Sequence, residues 1–321
     1  MIIVTGAAGF IASALISELN KYNFNNIIAV DLFDSDLKNQ NIEGKKITQR
    51  VNRHELHDWI QLNHEEIEFI FHLGARTDTA EFDRALLAKL NTDYSKMIWK
   101  NCVSYQIPLV YASSAATYGL GEFGFDDQEN LSEKLVPLNP YGDSKNEFDI
   151  WALKENKKPF FWVGMKFFNV YGPNEYHKDR MASVVYHAFN QITKTDGMKL
   201  FRSHNPKYSH GGQMRDFVYV KDVVKVMYWL MHHRKNSGLY NLGSGQARSF
   251  LDLVKAVFVA MDKDEKISFI DTPIDIRDKY QYFTEATMDK LKGIGYPHPF
   301  TTLEEGINDY VSHYLKAQKR Y

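Results

Sequence analysis

Tyr141 and Lys145 stand four residues apart in the run Asn139-Pro140-Tyr141-Gly142-Asp143-Ser144-Lys145. On a helix that spacing puts both side chains on one face, a turn apart. An ammonium beside a phenol favours the phenolate, so the pair is expected to lower the tyrosine pKa and let it take a proton from a substrate hydroxyl. Ser113-Ser114 follow the apolar run Pro108–Ala112 and offer a hydroxyl to the same substrate oxygen as it becomes a carbonyl. A Tyr-x-x-x-Lys pair is common by itself. It gains weight from Thr5-Gly6-Ala7-Ala8-Gly9-Phe10-Ile11-Ala12, which follows the apolar run Met1–Val4 and opens a helical pattern. Gly6 and Gly9 let the backbone approach a pyrophosphate, whose charge the helix N-terminus stabilises; Ala12 fills the third, helix-packing position, where alanine is accepted. Asp31 ends the next apolar run, where an acid holds the ribose hydroxyls of a dinucleotide. That acid favours NAD, whereas Lys38 and Arg53 offer charge to the 2′-phosphate of NADP, and the residues alone leave the choice open.

The elements that must position these groups read as an alternation. Apolar, β-branched runs at Met1–Val4, Asn26–Asp31, Phe69–Leu73, Pro108–Ala112 and Trp162–Phe167 predict strands. Helical periodicity over Ala7–Leu19, Leu86–Val103, Tyr141–Lys154 and Asp222–His232 separates or follows them. Strands alternating with helices predict an α/β fold, a Rossmann-type doubly wound parallel sheet covered on both faces. After about residue 172 the rhythm changes, and the polar, Gly-containing segment Asn205–Gln213 reads as a loop. The expected organisation is a dinucleotide-binding domain over 1–170, with return segments near 214–247, and a smaller interleaved substrate lobe over 171–321.

Composition narrows the function class. The chain has 321 residues, with 39 Lys+Arg against 40 Asp+Glu, which argues against a nucleic-acid partner bound through a strongly basic surface. Cys102 is the single cysteine, so no intrachain disulfide forms. His177 and His187 have no accompanying carboxylate or cysteine cluster, and no metal site is expected. No apolar stretch reaches the length of a membrane span, no signal peptide is read, and the cytoplasm is the expected compartment. His72 is expected to be a satisfied strand-end histidine.

Together, TGAAGFI, YASSAATYG and the Tyr141/Lys145 pair resemble the extended short-chain dehydrogenase/reductase family of sugar-nucleotide epimerases and dehydratases, almost end to end. FNVYGP (168–173), His177-Lys178, MASV (181–184), RDFVYV (215–220) and YNLG (240–243) are similar to its branch that epimerises an ADP-linked heptose at C6. The resemblance implies catalytic roles for Ser114, Tyr141 and Lys145, with Lys178 as a second acid/base. It implies NADP as cofactor, with NAD possible. The implied cofactor contacts are Gly6, Gly9, Phe10, Ile11, Asp31, Leu32, Lys38, Arg53, Leu73, Gly74, Ala75, Arg76, Thr77, Asn91, Val170 and Lys178, besides Tyr141 and Lys145. The implied contacts to an ADP-sugar substrate are Ser114, Asn169, Arg180, His187, Arg215 and Tyr280, with Phe201, Arg202, Ser203 and His204 lining the nucleotide. A homo-oligomer is also implied. Leu32, where the family carries a polar residue, and Arg180, where it carries a small one, depart from the pattern. Two other functions stay open: a hexose 4-epimerase, and a non-catalytic NAD(P)-binding protein. A 4,6-dehydratase is disfavoured, because Ala115-Ala116-Thr117 lack the acid that would expel water.

Overall fold

The computed structural model describes residues 1–277 and 280–321, with the side chains of 275 and 276 outside the description. The chain starts with β1 (Ile2–Thr5), β2 (Ile27–Asp31), β3 (Gln49–Asn52), β4 (Phe69–His72), β5 (Leu109–Ser114) and β6 (Trp162–Phe167). It continues with β7 (Asn169–Tyr171), β8 (Met198–Phe201), β9 (Met214–Tyr219), β10 (Gly238–Leu242), β11 (Ala247–Ser249) and β12 (Ile267–Ile270). Seven strands make one parallel sheet in the order β10-β6-β5-β4-β1-β2-β3. The expected doubly wound α/β fold is therefore the one observed. The strand order reverses at β1, flanked by β2 and β4, and ligands of such sheets bind at the carboxyl ends beside that reversal.

Successive residues of a strand point to opposite faces, so these strands must be apolar throughout. Ile3, Ile28, Ile70, Leu109 and Tyr111 join one buried cluster with Trp99 and Phe148 from the covering helices. Val4, Ala29, Phe71 and Val110 join the other with Leu15, Val223 and Met227. In the first cluster Trp99 meets Phe148, Trp151 and Trp162 edge-on. The remaining strands form two small sheets, β11-β9-β7 and β12-β8.

Two local readings change. The first helix begins at Phe10 rather than Ala7, because Gly6 is left-handed (φ +66°) and Gly9 N–H turns back to the Gly6 carbonyl at 2.7 Å. β3 escapes periodicity because Val51 is its one buried residue and its partner β2 supplies the pairing. The helix after β4 runs through Arg84–Leu87, Ala88–Asp93 and Tyr94–Ser104, the middle stretch widened to a π-helix. Such π-turns often place a functional side chain, and this one carries Asn91.

Candidate active site

The glycine turn has no room for side chains. A Cβ on Gly6 would lie 2.6 Å from the Cα of Gly74, and one on Gly9 would lie 2.9 Å from the Gly6 carbonyl oxygen. Gly9 caps the helix Phe10–Lys21 without a side-chain acceptor, and no acid stands in the first turn. The first N–H groups of that helix are thus left for an external anion, which is what a dinucleotide pyrophosphate requires. Gly6→Ala combines a positive φ with a backbone clash, and strain of this kind costs about 1–3 kcal/mol. The variant is expected to melt earlier and to lose dinucleotide affinity, read by a thermal melt and a cofactor titration. Unchanged affinity would remove the turn from the binding site.

Asp31 is buried and heavily used. Its Oδ2 accepts the Ala8 N–H at 3.1 Å, and its Oδ1 accepts the Leu32 N–H at 2.8 Å and Lys38 Nζ at 2.6 Å. Arg53 lies alongside: its N–H donates to the Asp31 carbonyl at 3.0 Å and its carbonyl accepts the Tyr94 hydroxyl at 3.1 Å. The Arg53 Nε is buried without a hydrogen-bond partner among the described residues. This edge of the site therefore holds one neutralised carboxylate and one guanidinium with a donor to spare.

At the end of β4 a relay sets the shape of the crevice. Burial, and then the Lys145 charge, push the His72 pKa down to about 3, so the ring is neutral. Ser95 spends its proton on the Asn91 carbonyl at 2.5 Å, so His72 Nε2–H must donate to Ser95 Oγ at 2.9 Å. His72 Nδ1 then accepts the Thr5 hydroxyl at 2.7 Å, and Thr5 Oγ1 accepts the Gly74 N–H at 3.1 Å. Histidine here is structural, as expected. Asn91 reaches the same loop from the π-turn: its Oδ1 accepts the Arg76 N–H at 2.8 Å and its Nδ2 donates to the Arg76 carbonyl at 3.0 Å and to Ser144 Oγ at 2.9 Å. Asn91 thus ties Leu73–Thr77 to the helix Pro140–Lys154, which carries Tyr141 and Lys145.

That helix starts where Asn139 caps it, its Oδ1 accepting the Gly142 N–H at 2.8 Å, with Pro140 in the first turn. Tyr141 and Lys145 are both buried. The expected lowering of the tyrosine pKa is not what the fold produces. Burial pushes the Tyr141 phenol up, a hydrogen bond from Ser114 opposes it, and the Asp149 carboxylate adds to the rise. Spacing on a helix could not reveal this, because it says nothing of desolvation or of where the ammonium points. Lys145 Nζ donates to the Ala112 carbonyl at 2.9 Å, and burial brings its pKa down to about 8 against the opposing pull of Asp149. Ser114 reaches the Tyr141 phenol, and Lys145, a turn further along the helix, is anchored to the strand that carries Ser114.

Lys178 comes from a separate segment of the chain. It lies in the turn Tyr176–Met181, its Nζ 5.3 Å from the centroid of the Phe10 ring. Burial lowers its pKa and Glu175 raises it. Glu175, fully buried, closes the segment: it accepts the Gly172 N–H at 3.3 Å, the Ser183 N–H at 2.5 Å and the Ser183 hydroxyl at 2.7 Å. Asn41 Nδ2 bridges the Ala8 carbonyl at 3.0 Å, the Asn174 carbonyl at 3.0 Å and His177 Nδ1 at 3.1 Å, so the glycine turn and the Lys178 segment share one support. Asn169 and Val170 sit in β7, exposed and half-buried. Arg180 Nη2 donates to both Asp78 carboxylate oxygens, at 2.7 and 2.8 Å.

Of the remaining predicted contacts, Tyr280 lies against Arg215 and Phe201 against Tyr280. The Arg215 guanidinium lies 5.6 Å from the ring centroids of both Phe250 and Tyr280, and the residue is 9% exposed, with no carboxylate partner among the described residues. The neighbouring Asp216 does not pair with it: that carboxylate accepts the Ser244, Gly245 and Ala286 N–H groups and the Ser244 hydroxyl. Arg215 Nη1 donates to the Met214 carbonyl at 2.8 Å, and a buried guanidinium between rings, with no carboxylate on it among the described residues, suits a diphosphate beside a base. Phe201 meets Tyr280 edge-on, and the His204 N–H donates to the Tyr282 hydroxyl at 3.2 Å. Ser203 N–H donates to His210 Nδ1 at 3.2 Å, while Arg202 pairs with Asp271 at 3.4 Å. His187 is exposed on the helix Val184–Thr195. Sequence reasoning missed Asn41, Glu175 and Asp149. Asp149, four residues beyond Lys145, carried a local signal; the other two act across chain separations that no motif marks.

A family model described as NAD dependent epimerase/dehydratase family matches residues 2–243. The chain is 45% identical to ADP-L-glycero-D-manno-heptose-6-epimerase of Fusobacterium nucleatum, covering 100% of both chains. The solved structure of the Helicobacter pylori ADP-L-glycero-D-manno-heptose-6-epimerase superposes with a TM-score of 0.79 at 28% identity, covering 97% of this chain and 95% of that one. The UDP-glucose 4-epimerase of Thermotoga maritima shares the fold, with a TM-score of 0.80 at 22% identity and 99% coverage of each chain.

Proposed function

The chain belongs to the NAD dependent epimerase/dehydratase family, and on that premise we propose that it interconverts ADP-D-glycero-D-manno-heptose and ADP-L-glycero-D-manno-heptose by transient oxidation at C6. The observation that carries this reading is a pair of proton-handling groups on two separate segments: Tyr141 beside Ser114, and Lys178 over Phe10. A bound nicotinamide supplies a reversible hydride acceptor, so C6 is oxidised and reduced again without net redox change. Tyr141 removes the C6 hydroxyl proton and Ser114 holds that oxygen as it becomes a carbonyl. The Lys145 ammonium favours the phenolate that does this work. The ketone presents its other face, and Lys178 returns a proton to the oxygen from that side. Arg215, buried and with no carboxylate partner among the described residues, takes the diphosphate, with Tyr280 and Phe201 alongside the adenosine. Incubating the purified protein with either ADP-heptose epimer, and with a panel of UDP-hexoses, tests the reading. Conversion of the ADP-heptose alone supports it, and turnover confined to UDP-hexoses would move the protein to the 4-epimerases.

NADP is the cofactor this site suits better, with NAD accommodated. Lys38 neutralises Asp31, which would otherwise repel a 2′-phosphate, and Arg53, whose backbone N–H bonds the Asp31 carbonyl, brings a second positive charge to this edge. Lys38→Ala is expected to weaken NADP binding about tenfold or more while leaving NAD nearly unchanged, the loss of one charge-assisted contact. Titration of both cofactors into both proteins measures this. If the variant binds NADP as tightly as the parent, Lys38 does not read the phosphate.

A further inference from the structure

Behind Tyr141 and Lys145 lies a charge pair sealed from water. Asp149 follows Lys145 by one helical turn and Tyr141 by two, so the three share a face. Asp149 and Lys166 are 0% and 1% exposed, with Lys166 Nζ 2.9 Å from Asp149 Oδ2. The carboxylate also accepts the Ser113 hydroxyl at 2.6 Å and the Tyr111 hydroxyl at 3.0 Å. Lys166 donates to Thr117 Oγ1 at 2.8 Å. The pair therefore joins the helix Pro140–Lys154 to β5, to β6 and to the turn Ala115–Tyr118, enclosing Ser114 between two of its contacts. No step proposed above uses either charge. A buried ion pair is also a poor source of stability, since an apolar pair of similar volume often serves as well.

We propose that Asp149 and Lys166 are positioning residues that hold Ser114 in register with Tyr141 and Lys145 and, through the Asp149 charge, set the pH range over which those two groups exchange protons. This rests on the reading of Tyr141 and Lys145 as the acting pair. Lys145 is faced by Asp149 from its own helix, by neutral His72 from β4 and by the Ala112 carbonyl from β5, and Tyr141 by Asp149 from its own helix and by Ser114 from β5. Asp149 is faced by Tyr111 and Ser113 from β5, by Lys166 from β6 and by Lys145. Its negative charge favours the protonated form of Lys145 and of Tyr141 alike. Lys166 lies on the far side of Asp149, on β6, and it is Asp149 that acts on both groups, so removing the two charges together leaves the loss of the carboxylate dominant and moves both proton releases to lower pH, displacing the whole bell-shaped profile instead of merely lowering it.

The test is the pH profile of kcat/KM for the double variant Asp149→Asn/Lys166→Gln, which removes both charges and keeps an acceptor for Ser113 and a donor for Thr117. The expected result is a folded protein whose profile is displaced toward acid, with activity on the alkaline side reduced about tenfold and none lost on the acid side. Asp149→Glu, which keeps the charge, is expected to restore the parent position. Should the double variant not fold, the apolar pair Asp149→Leu/Lys166→Met is read in the same way. A profile that keeps its position in a folded double variant, whatever its height, overturns the proposal. Failure of both pairs to fold also overturns it, by making the charges a requirement of the fold. Tyr141→Phe is assayed alongside: if it stays active, the underlying reading fails, whereas an inactive Tyr141→Phe with an unmoved double-variant profile defeats only this inference.

Discussion

Tyr141→Phe is expected to lower epimerisation by about 10²–10⁴-fold, the usual worth of a positioned acid–base group, while the protein stays folded and binds its dinucleotide. The change deletes one hydroxyl from a ring that is 9% exposed, so the packing beneath it is kept. What is lost is the group that takes the C6 hydroxyl proton and the hydrogen bond it shares with Ser114. The fold raises this phenol's pKa by burial instead of lowering it, and the Ser114 hydrogen bond is what opposes that rise. Measured kcat at saturating substrate, with a melting curve as control, checks the expectation. Parental rates from a folded Tyr141→Phe protein would sink the mechanism.

Lys178→Met is expected to lose epimerisation to a similar extent, about 10²–10⁴-fold, for a different reason. Inverting a carbinol centre requires the hydride to return to the opposite face of the carbonyl; when the ketone turns over, its oxygen leaves Tyr141, and a second group must protonate it there. Methionine keeps an unbranched chain over the Phe10 ring, so the segment closed by Glu175 has no reason to unravel. The variant should therefore still oxidise or reduce an aldehyde analogue from the Tyr141 side. In the parent protein the hydrogen that leaves C6 returns to C6, so a deuterium label placed there should remain in the epimerised product. Retained epimerisation in Lys178→Met would show that the lysine is only an anchor. Solvent hydrogen appearing at C6 would exclude transient oxidation.

Much of this was legible from local spacing. A continuous apolar run must be a strand covered on both faces, so five of the seven sheet strands could be read in Ile2–Thr5, Ile27–Asp31, Phe69–His72, Leu109–Ser114 and Trp162–Phe167. The glycine turn and the Tyr141/Lys145 pair are likewise short-range geometry, fixed by the φ that glycine permits and by the 3.6-residue turn. Beyond the reach of such patterns were the strand Gln49–Asn52, formed because β2 offers an edge, and the site's supports. Asn41 meets Asn174 and His177 across more than 130 residues, and Arg180 meets Asp78 across 102. The electrostatics belong to the same class: Tyr141 titrates high because the folded interior takes its ring out of water, and Lys38 neutralises Asp31 because the turn brings them within 2.6 Å. Periodicity records which side of an element faces the core, whereas burial and long-range contact arise only when the elements pack, and those two decide how the groups carrying the chemistry hold their protons.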